Sequence, residues 1–314
     1  MNNPFFSVII PTHNREKFLK IALESVLQQT FDNYELIIVD DGSTDNTRDM
    51  IEGRGTPVAR LPSAARRRGL ARLSAKPRAE GGWDEGRKPQ IKYLYQENKG
   101  PAAARNRGVA ESRGRYICFL DTDDRYRRDK LEVTCRYIKK YPQYYVFHTQ
   151  ELWYRQGALL SQKIYHKKPT GFVFENAVKL CSISISTAAI KKDIFETVGL
   201  FDEKLPACED YDFWLRVTHQ FPVLLIPECL TIKEGGHPDQ QSARYPAMDT
   251  FRIYALNKIL EAGVLNEAHY KIALGELKNK CEIFIKGASK RNRTKEIEEY
   301  KNLIAKFKEH TGNA

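Results

Sequence analysis

Tyr34-Glu35-Leu36-Ile37-Ile38-Val39 runs into Asp40-Asp41-Gly42-Ser43, and Tyr116-Ile117-Cys118-Phe119-Leu120 runs into Asp121-Thr122-Asp123-Asp124. A short apolar run that stops at a carboxylate cluster predicts a buried strand with a site at its carboxyl end. In open α/β sheets that is where ligands bind. Two such ends can hold several carboxylates around one ligand, and carboxylates that face one another need a cation or a base-pairing partner.

Working outward, Phe6–Ile10 is a compact strand ended by Pro11-Thr12-His13-Asn14, and Asn14 is placed to cap the next helix. Phe18, Ile21, Ala22 and Val26 recur at helical spacing through about Gln29. Ser43, Thr44 or Asp45 can cap a second helix from about Asn46 to Glu52. This β-α-β-α start implies parallel strands with right-handed crossovers. A strand over Ile91–Gln96 follows, and Gly100-Pro101 opens an Ala-rich helix to about Ser112. After Tyr116–Leu120 comes a helix from about Arg128 to Lys140. Tyr144–Thr149, Leu152–Tyr154 and Gln162–His166 read as antiparallel strands, with a turn at Gln156-Gly157. Ser182–Ile190 reads as a strand or buried stretch, Glu209–His219 as a helix and Val223–Ile226 as a strand. From about Met248 three helices are expected, to about Glu261, over Glu267–Lys286 and over Thr294–Glu309. The fold class is α/β, with residues 1–245 as one domain and 246–314 as a helical C-terminal appendage.

The chain has 314 residues, which suits a large domain plus an appendage. No apolar run approaches the ~20 residues of a spanning helix. Met1-Asn2-Asn3-Pro4 lacks the basic and apolar regions of a secretory signal, so a cytoplasmic protein is expected. The cysteines at 118, 135, 181, 208, 229 and 281 are scattered without a Cys-x-x-Cys pair, which fits buried reduced thiols rather than zinc ligands or disulfides. The net charge is +11, but residues 53–90 hold ten basic side chains against three acidic ones, leaving +4 for the rest. That segment is rich in Arg, Ala, Gly and Pro, with Trp83 as its one aromatic residue, and is expected to be a flexible basic surface insertion. Without it Glu52 would lead almost directly into Ile91.

Asp121-x-Asp123 at a strand end suits Mg²⁺ or Mn²⁺, hard cations that take oxygen ligands and leave room for phosphates; a solvated turn is the alternative. One acid of Asp40-Asp41 can form an Asx-type turn, while the other can accept from a nucleobase N–H or a ribose hydroxyl. His13 on composition alone is a surface histidine. Glu209-Asp210 are either helix-start acids favoured by the dipole or contain a general base. His237, beside Gly235-Gly236, can reach a metal or a phosphate.

These motifs, in order, resemble family 2 glycosyltransferases of the bacterial type. Ser7–Arg15, Glu35–Asp45, Asn98–Pro101, Ala104–Asn106 and Phe119–Asp124 match the nucleotide-binding half, and Glu209–Arg216 with Gly235–Ser242 match the acceptor-side motifs. The resemblance implies a GT-A fold, Rossmann-like, with a mostly parallel sheet and antiparallel strands on the acceptor side. It also implies a nucleotide-diphosphate sugar donor, a divalent metal and inversion at the anomeric carbon. By position, Pro11, Thr12, His13 and Asn14 line the nucleoside site. Asp41 binds the base, most simply uracil, and Arg105, Asn106, Asp121 and Thr122 lie on the nucleotide sugar. Asp123 ligates Mn²⁺ or Mg²⁺, His237 reaches the metal or diphosphate, Asp210 is the base and Glu209 supports it. A glycan or lipid-linked acceptor is implied, with work at the inner face of the plasma membrane. One rival is a sugar-phosphate nucleotidyltransferase, but such enzymes usually place a Gly-rich basic loop where Pro11-Thr12-His13-Asn14 stands. The other is a non-enzymatic membrane- or nucleic-acid-binding protein acting through residues 54–88, which the full set of carboxylates argues against.

Overall fold

The computed structural model describes residues 3–52, 89–161, 167–236, 245 and 247–307. The expected strand Gln162–His166, nearly all of the 53–90 insertion and His237 fall outside the described residues. The first half runs β1 (Phe6–Thr12), α1 (Glu16–Leu27), β2 (Tyr34–Asp41), α2 (Thr47–Glu52), β3 (Gln90–Gln96), α3 (Pro101–Glu111), β4 (Tyr116–Phe119), β5 (Asp124–Tyr126) and α4 (Lys130–Lys140). The second runs β6 (Val146–Arg155), β7 (Ala158–Leu160), α5 (Phe174–Lys179), a 3-10 turn (Ile185–Thr187), β8 (Ala188–Lys191), α6 (Asp193–Val198), α7 (Glu209–Thr218) and β9 (Val223–Gly235). Three helices close the chain: α8 (Met248–Glu261), α9 (Glu267–Ser289) and α10 (Thr294–Lys306). Among the described residues no helix is long and apolar enough to cross a membrane.

Alternate residues of β1, β2 and β4 point to opposite faces, and both faces are apolar. Val8, Ile10, Leu36, Ile38 and Cys118 pack with Leu19, Leu23 and Val26 of α1 and Leu131 and Ile138 of α4. Ile9, Ile37, Val39, Ile117 and Phe119 pack with α3, α6 and α7. Burial on both faces is why these strands read as unbroken apolar runs. The strand order is β3-β2-β1-β4-β8-β6-β9-β5, with β7 on β6. β1 is parallel to both β2 and β4, and β2 to β3. The chain therefore winds outward to β3 and returns on the other side of β1, which opens a crevice at the carboxyl ends of these strands.

The second half departs from its sequence reading. β8 runs antiparallel to β4 and β6, as expected, but β6 runs parallel to β9, and the two predicted strands over 144–154 are one strand. The stretch 182–190 divides into the 3-10 turn and β8. The short elements β5, α5 and α6 have too few residues to show a period. Asn14 is not the cap of α1: Arg15 occupies that position, while Asn14 is left-handed (φ 52°) and its Oδ1 accepts from Thr44 N at 2.7 Å.

α7 is buried on two sides. Phe213, Trp214 and Val217 meet the sheet, whereas Tyr211 and Leu215 meet Ile253, Leu256, Leu274 and Leu277 of α8 and α9. Lys258 of α8 adds ion pairs to Asp212 (3.0 Å) and Asp202 (2.6 Å).

β6 carries a fully buried histidine. His148 Nε2 lies 2.9 Å from Pro169 O, and a carbonyl only accepts, so Nε2 holds the proton. Burial first, and then the Lys168 charge, push the imidazolium pKa down from 6.5 to about 3. The folded state thus holds a neutral ring where the unfolded chain takes up a proton, and stability falls as pH drops from 6.5 toward 3. His148→Phe should flatten the stability-versus-pH curve between those limits by up to about 1.4 kcal/mol per pH unit. Urea unfolding at several pH values checks this; parallel curves for the two proteins would count against it.

Candidate active site

The carboxyl ends of β1, β2, β3 and β4 converge on one crevice. Its floor is tied together by the carboxylates that end β2. Asp40 is fully buried; Oδ1 accepts from Ser43 N three residues on (2.8 Å), holding the turn after β2, and Oδ2 from the Tyr93 hydroxyl (2.8 Å). Asp41 accepts from Gln96 Nε2 (2.7 Å), Lys99 N (2.9 Å) and Gly100 N (2.8 Å). A carboxylate has about four lone-pair sites, so one stays open for a ligand donor. Gly42 lets the two loops meet: its φ is +76°, and a Cβ there would lie 2.7 Å from Asn98 N.

The β1 end supplies the wall. His13 Nδ1 donates to Asp41 O at 2.8 Å, which leaves Nε2 as an acceptor facing the amides of Asn14 (3.2 Å) and Asn98 (3.1 Å). Pro11 is partly exposed, while Thr12 is buried and its hydroxyl has no hydrogen-bond partner among the described residues. A buried hydroxyl left unpartnered is uncommon, because it loses its hydration without compensation.

Arg105 joins the two halves of the crevice. It rises from α3, which lies tight on β1 because a Cβ at Gly108 would sit 2.4 Å from Ile9 Cγ2. Arg105 is 4% exposed. Nη2 donates to Asp121 Oδ1 at 2.7 Å and Nη1 to Glu209 Oε1, so the end of β4 and the start of α7 share one cation. Burial opposes the charge on Arg105, but Asp121 and Glu209 outweigh it and hold the guanidinium firmly protonated. Burial likewise opposes ionisation of Asp121, yet Arg105, Lys233 and Arg15 hold its carboxyl below the usual range. Glu209 moves the other way: burial pushes it up, and the adjacent Asp210 adds to the push.

Asp123 is partly exposed and lies 3.5 Å from Arg15 Nη1. Buried Asp124 is 3.5 Å from Lys233 Nζ, and burial pushes its carboxyl up to about 7. Thr122, between Asp121 and Asp123 in sequence, is buried. Asp210 is half-buried; its Oδ1 accepts from Tyr211 N (2.8 Å) and its Oδ2 from the Cys181 thiol (3.3 Å). Just before Glu209, Cys208 is left-handed (φ 61°), a conformation costing about 1–3 kcal/mol outside glycine.

Asn106 was expected on the nucleotide sugar, but both its amide donors and its Oδ1 are engaged by Phe201 and Glu203 at 2.8–2.9 Å. It ties down the loop ahead of α7. Arg15, Lys233 and Cys181 sit beside the proposed site residues without having been singled out. Lys233 lies near the end of β9, two residues before Gly235, which was a usable signal; a lone cysteine gave none.

The model of "Glycosyl transferase family 2" matches residues 7–73 and 78–199, more than half of the chain. The chain belongs to glycosyl transferase family 2. An uncharacterized glycosyltransferase of Rickettsia conorii is 29% identical over 218 residues, 69% of this chain but only 30% of that protein. The chain thus spans under a third of the length of this relative. The Bacillus subtilis glycosyltransferase TuaG, named for teichuronic acid biosynthesis, is 28% identical over 72% of this chain and 77% of its own. A structure of S. aureus TarS in complex with UDP-GlcNAc superposes with a TM-score of 0.64, at 18% identity, over 97% of this chain and 92% of that one. A mannosyltransferase from Pyrobaculum calidifontis, in complex with GDP-Man and Mn²⁺, gives 0.57 at 17% identity over 97% and 86%. The mixed sheet and C-terminal helices are those of a GT-A glycosyltransferase fold.

Removing the guanidinium would leave two carboxylates without their shared cation. Arg105→Met should cost about 3–5 kcal/mol in urea unfolding, and adding Glu209→Gln should recover part of it by removing one buried charge. A double variant no more stable than the single one would mean that the ion pair is not the source of the loss.

Proposed function

We propose that the chain moves a sugar from a nucleotide-diphosphate donor, a UDP-sugar, to a hydroxyl of a glycan or lipid-linked acceptor, with inversion, in cell-surface polysaccharide synthesis. The observation that carries this reading is the Arg105 bridge, which sets the Asp121–Asp123 strand end beside Glu209-Asp210. The UDP-GlcNAc on one structural neighbour and the teichuronic acid role named for one relative agree with it. Peripheral contact at the inner membrane face, where lipid-linked acceptors are met, belongs to the same proposal. So does a division into a transferase domain over 1–245 and a helical segment over 246–314 that backs α7.

In this reading the open lone pair of Asp41 takes the uracil N–H, and Thr12, His13 and Asn14 line the nucleoside. Asp121, oriented by Arg105, takes a ribose or sugar hydroxyl. The donor set suits Mn²⁺ or Mg²⁺: Asp123 and its neighbours offer only oxygen, and no group of three His, Cys, Asp or Glu among the described residues makes a closed metal cage. A hard cation held by one carboxylate and the donor's phosphates fits that set. When bound, such an ion neutralises the charge that grows on the departing diphosphate; a neighbour's bound Mn²⁺ is consistent with this. His237 is a second candidate ligand.

The acceptor hydroxyl is a weak nucleophile until a base takes its proton as the new C–O bond forms. Asp210 fills that role at the start of α7, and Glu209 holds Arg105 in place behind it. Attack opposite the leaving diphosphate inverts the anomeric carbon in one displacement, without a covalent enzyme intermediate.

Asp210→Asn should keep UDP binding while losing turnover by ~10²-fold or more. Its turnover is read as Mn²⁺-dependent UDP release from UDP-glucose, UDP-galactose or UDP-N-acetylglucosamine, whichever the wild type uses fastest. Wild-type turnover by the variant would sink the assignment. Asp123→Ala should weaken UDP binding in calorimetry with Mn²⁺ by roughly tenfold or more, with little change in metal-free buffer. Unchanged affinity with Mn²⁺ would remove Asp123 from the metal site.

A further inference from the structure

The sequence treats the six cysteines as inert core thiols, and among the described residues Cys181 alone has its thiol hydrogen-bonded to a proposed site carboxylate. It lies just beyond the end of α5 and meets the first turn of α7, where its Sγ is 3.3 Å from Asp210 Oδ2. The thiol has one proton and two acceptors within reach, the carboxylate and Ile183 O at 3.8 Å. The nearer, charged acceptor takes it. Burial and the Asp210 charge push the thiol pKa up, so the sulfur stays protonated and acts as a donor rather than a nucleophile.

We propose that Cys181 is a positioning residue for the general base. The inference rests on the assignment of Asp210 to that role. The two carboxylate oxygens are tied from opposite sides, Oδ1 by Tyr211 N at 2.8 Å and Oδ2 by the thiol. Together the two donors fix rotation about the Cβ–Cγ bond. Two of about four lone-pair sites remain, now in a set direction, for the acceptor hydroxyl. A base gains from such fixing because proton transfer requires hydrogen-bond reach and alignment. Cys208 cannot substitute, because its thiol is turned to Met248 O at 3.8 Å.

The test compares Cys181→Ala with Cys181→Ser, which keeps a donor at the same position. The readouts are Mn²⁺-dependent UDP release from the UDP-sugar that the wild type hydrolyses fastest, UDP affinity by calorimetry, and the thermal midpoint. Cys181→Ala should lower kcat roughly 5- to 10-fold, the size expected for one hydrogen bond to a charged group with a weak donor. UDP affinity should hold, and Cys181→Ser should return kcat to within about threefold of wild type. Cys181→Ala should cost nothing further in an Asp210→Asn background. Wild-type kcat for Cys181→Ala overturns the proposal, as does equal impairment of Ala and Ser variants with weakened UDP binding, or an undiminished loss in the Asp210→Asn background. A fully active Asp210→Asn overturns the base assignment and this proposal with it. An inactive Asp210→Asn beside a fully active Cys181→Ala overturns this proposal alone.

Discussion

One buried cation between two carboxylates sets most of the geometry described above. Arg105 stands where β4 ends and α7 begins, and it is the direct polar contact that brings Asp121 and Glu209 to one place. A buried ion pair contributes little net stability against a well-packed apolar substitute, because both charges lose their hydration. What it confers here is registration. The rigid planar guanidinium presents two separate nitrogens, Nη2 to Asp121 and Nη1 to Glu209, and lysine could not reproduce that geometry. The lack of a side chain at Gly108 lets α3 lie close enough to β1 for Arg105 to reach both partners.

The same charge balance extends along the crevice. Asp121 is met by Arg105, Asp123 by Arg15 and Asp124 by Lys233. Three adjacent carboxylates are thus held within a few ångströms of three cations drawn from α3, the β1–α1 loop and β9. Like charges this close drive one another's pKa upward, and in Asp124, the most buried of the three, the charges of Asp123 and Asp121 add to the larger upward push of burial. The cations also spare the crevice a large excess of negative charge.

The first half of the chain was legible because its signals are local. Strands buried on both faces give continuous apolar runs, and β1, β2 and β4 lie where the runs of residues 6–10, 34–39 and 116–120 place them. The carboxylate clusters at their ends were readable for the same reason. The second half was less so. Whether β6 pairs parallel with β9 depends on partners 77 to 80 residues apart, and no period within 146–155 encodes it. Asn14 misled because a residue with good capping chemistry also tolerates the left-handed conformation, and here its amide serves the β2 loop instead. Asn106 misled differently: adjacent to Arg105 in the same motif, it faces the loop at Phe201 on a different side of α3. Cys181 had no signal, since nothing in its sequence neighbourhood indicates a carboxylate 29 residues later.

The three cores bear unequally on the two halves of the site. The crevice wall at His13 and Asp41 rests on β1 to β3 and on loops fastened by Asp40 and Asp41, and among the described residues its hydrogen bonds involve none of the C-terminal helices. α7 is wedged between the sheet and the α8–α9 pair, and Asp212 within its first turns is shared by Arg216 (2.8 Å) and by Lys258 of α8 (3.0 Å). Its first residue follows a left-handed Cys208 whose thiol is turned to Met248 O at the start of α8. A strained backbone persists only where surrounding contacts over-determine it, and those contacts come largely from the C-terminal helices. Substitutions in α8 and α9 that shift α7 by a fraction of an ångström would therefore move Asp210 relative to Asp121 while leaving the Asp41 pocket in place. The fold thus separates the strand-end pocket fastened by Asp40 and Asp41 from the carboxylates carried by α7, and it rests the second on the part of the chain that the family model does not cover.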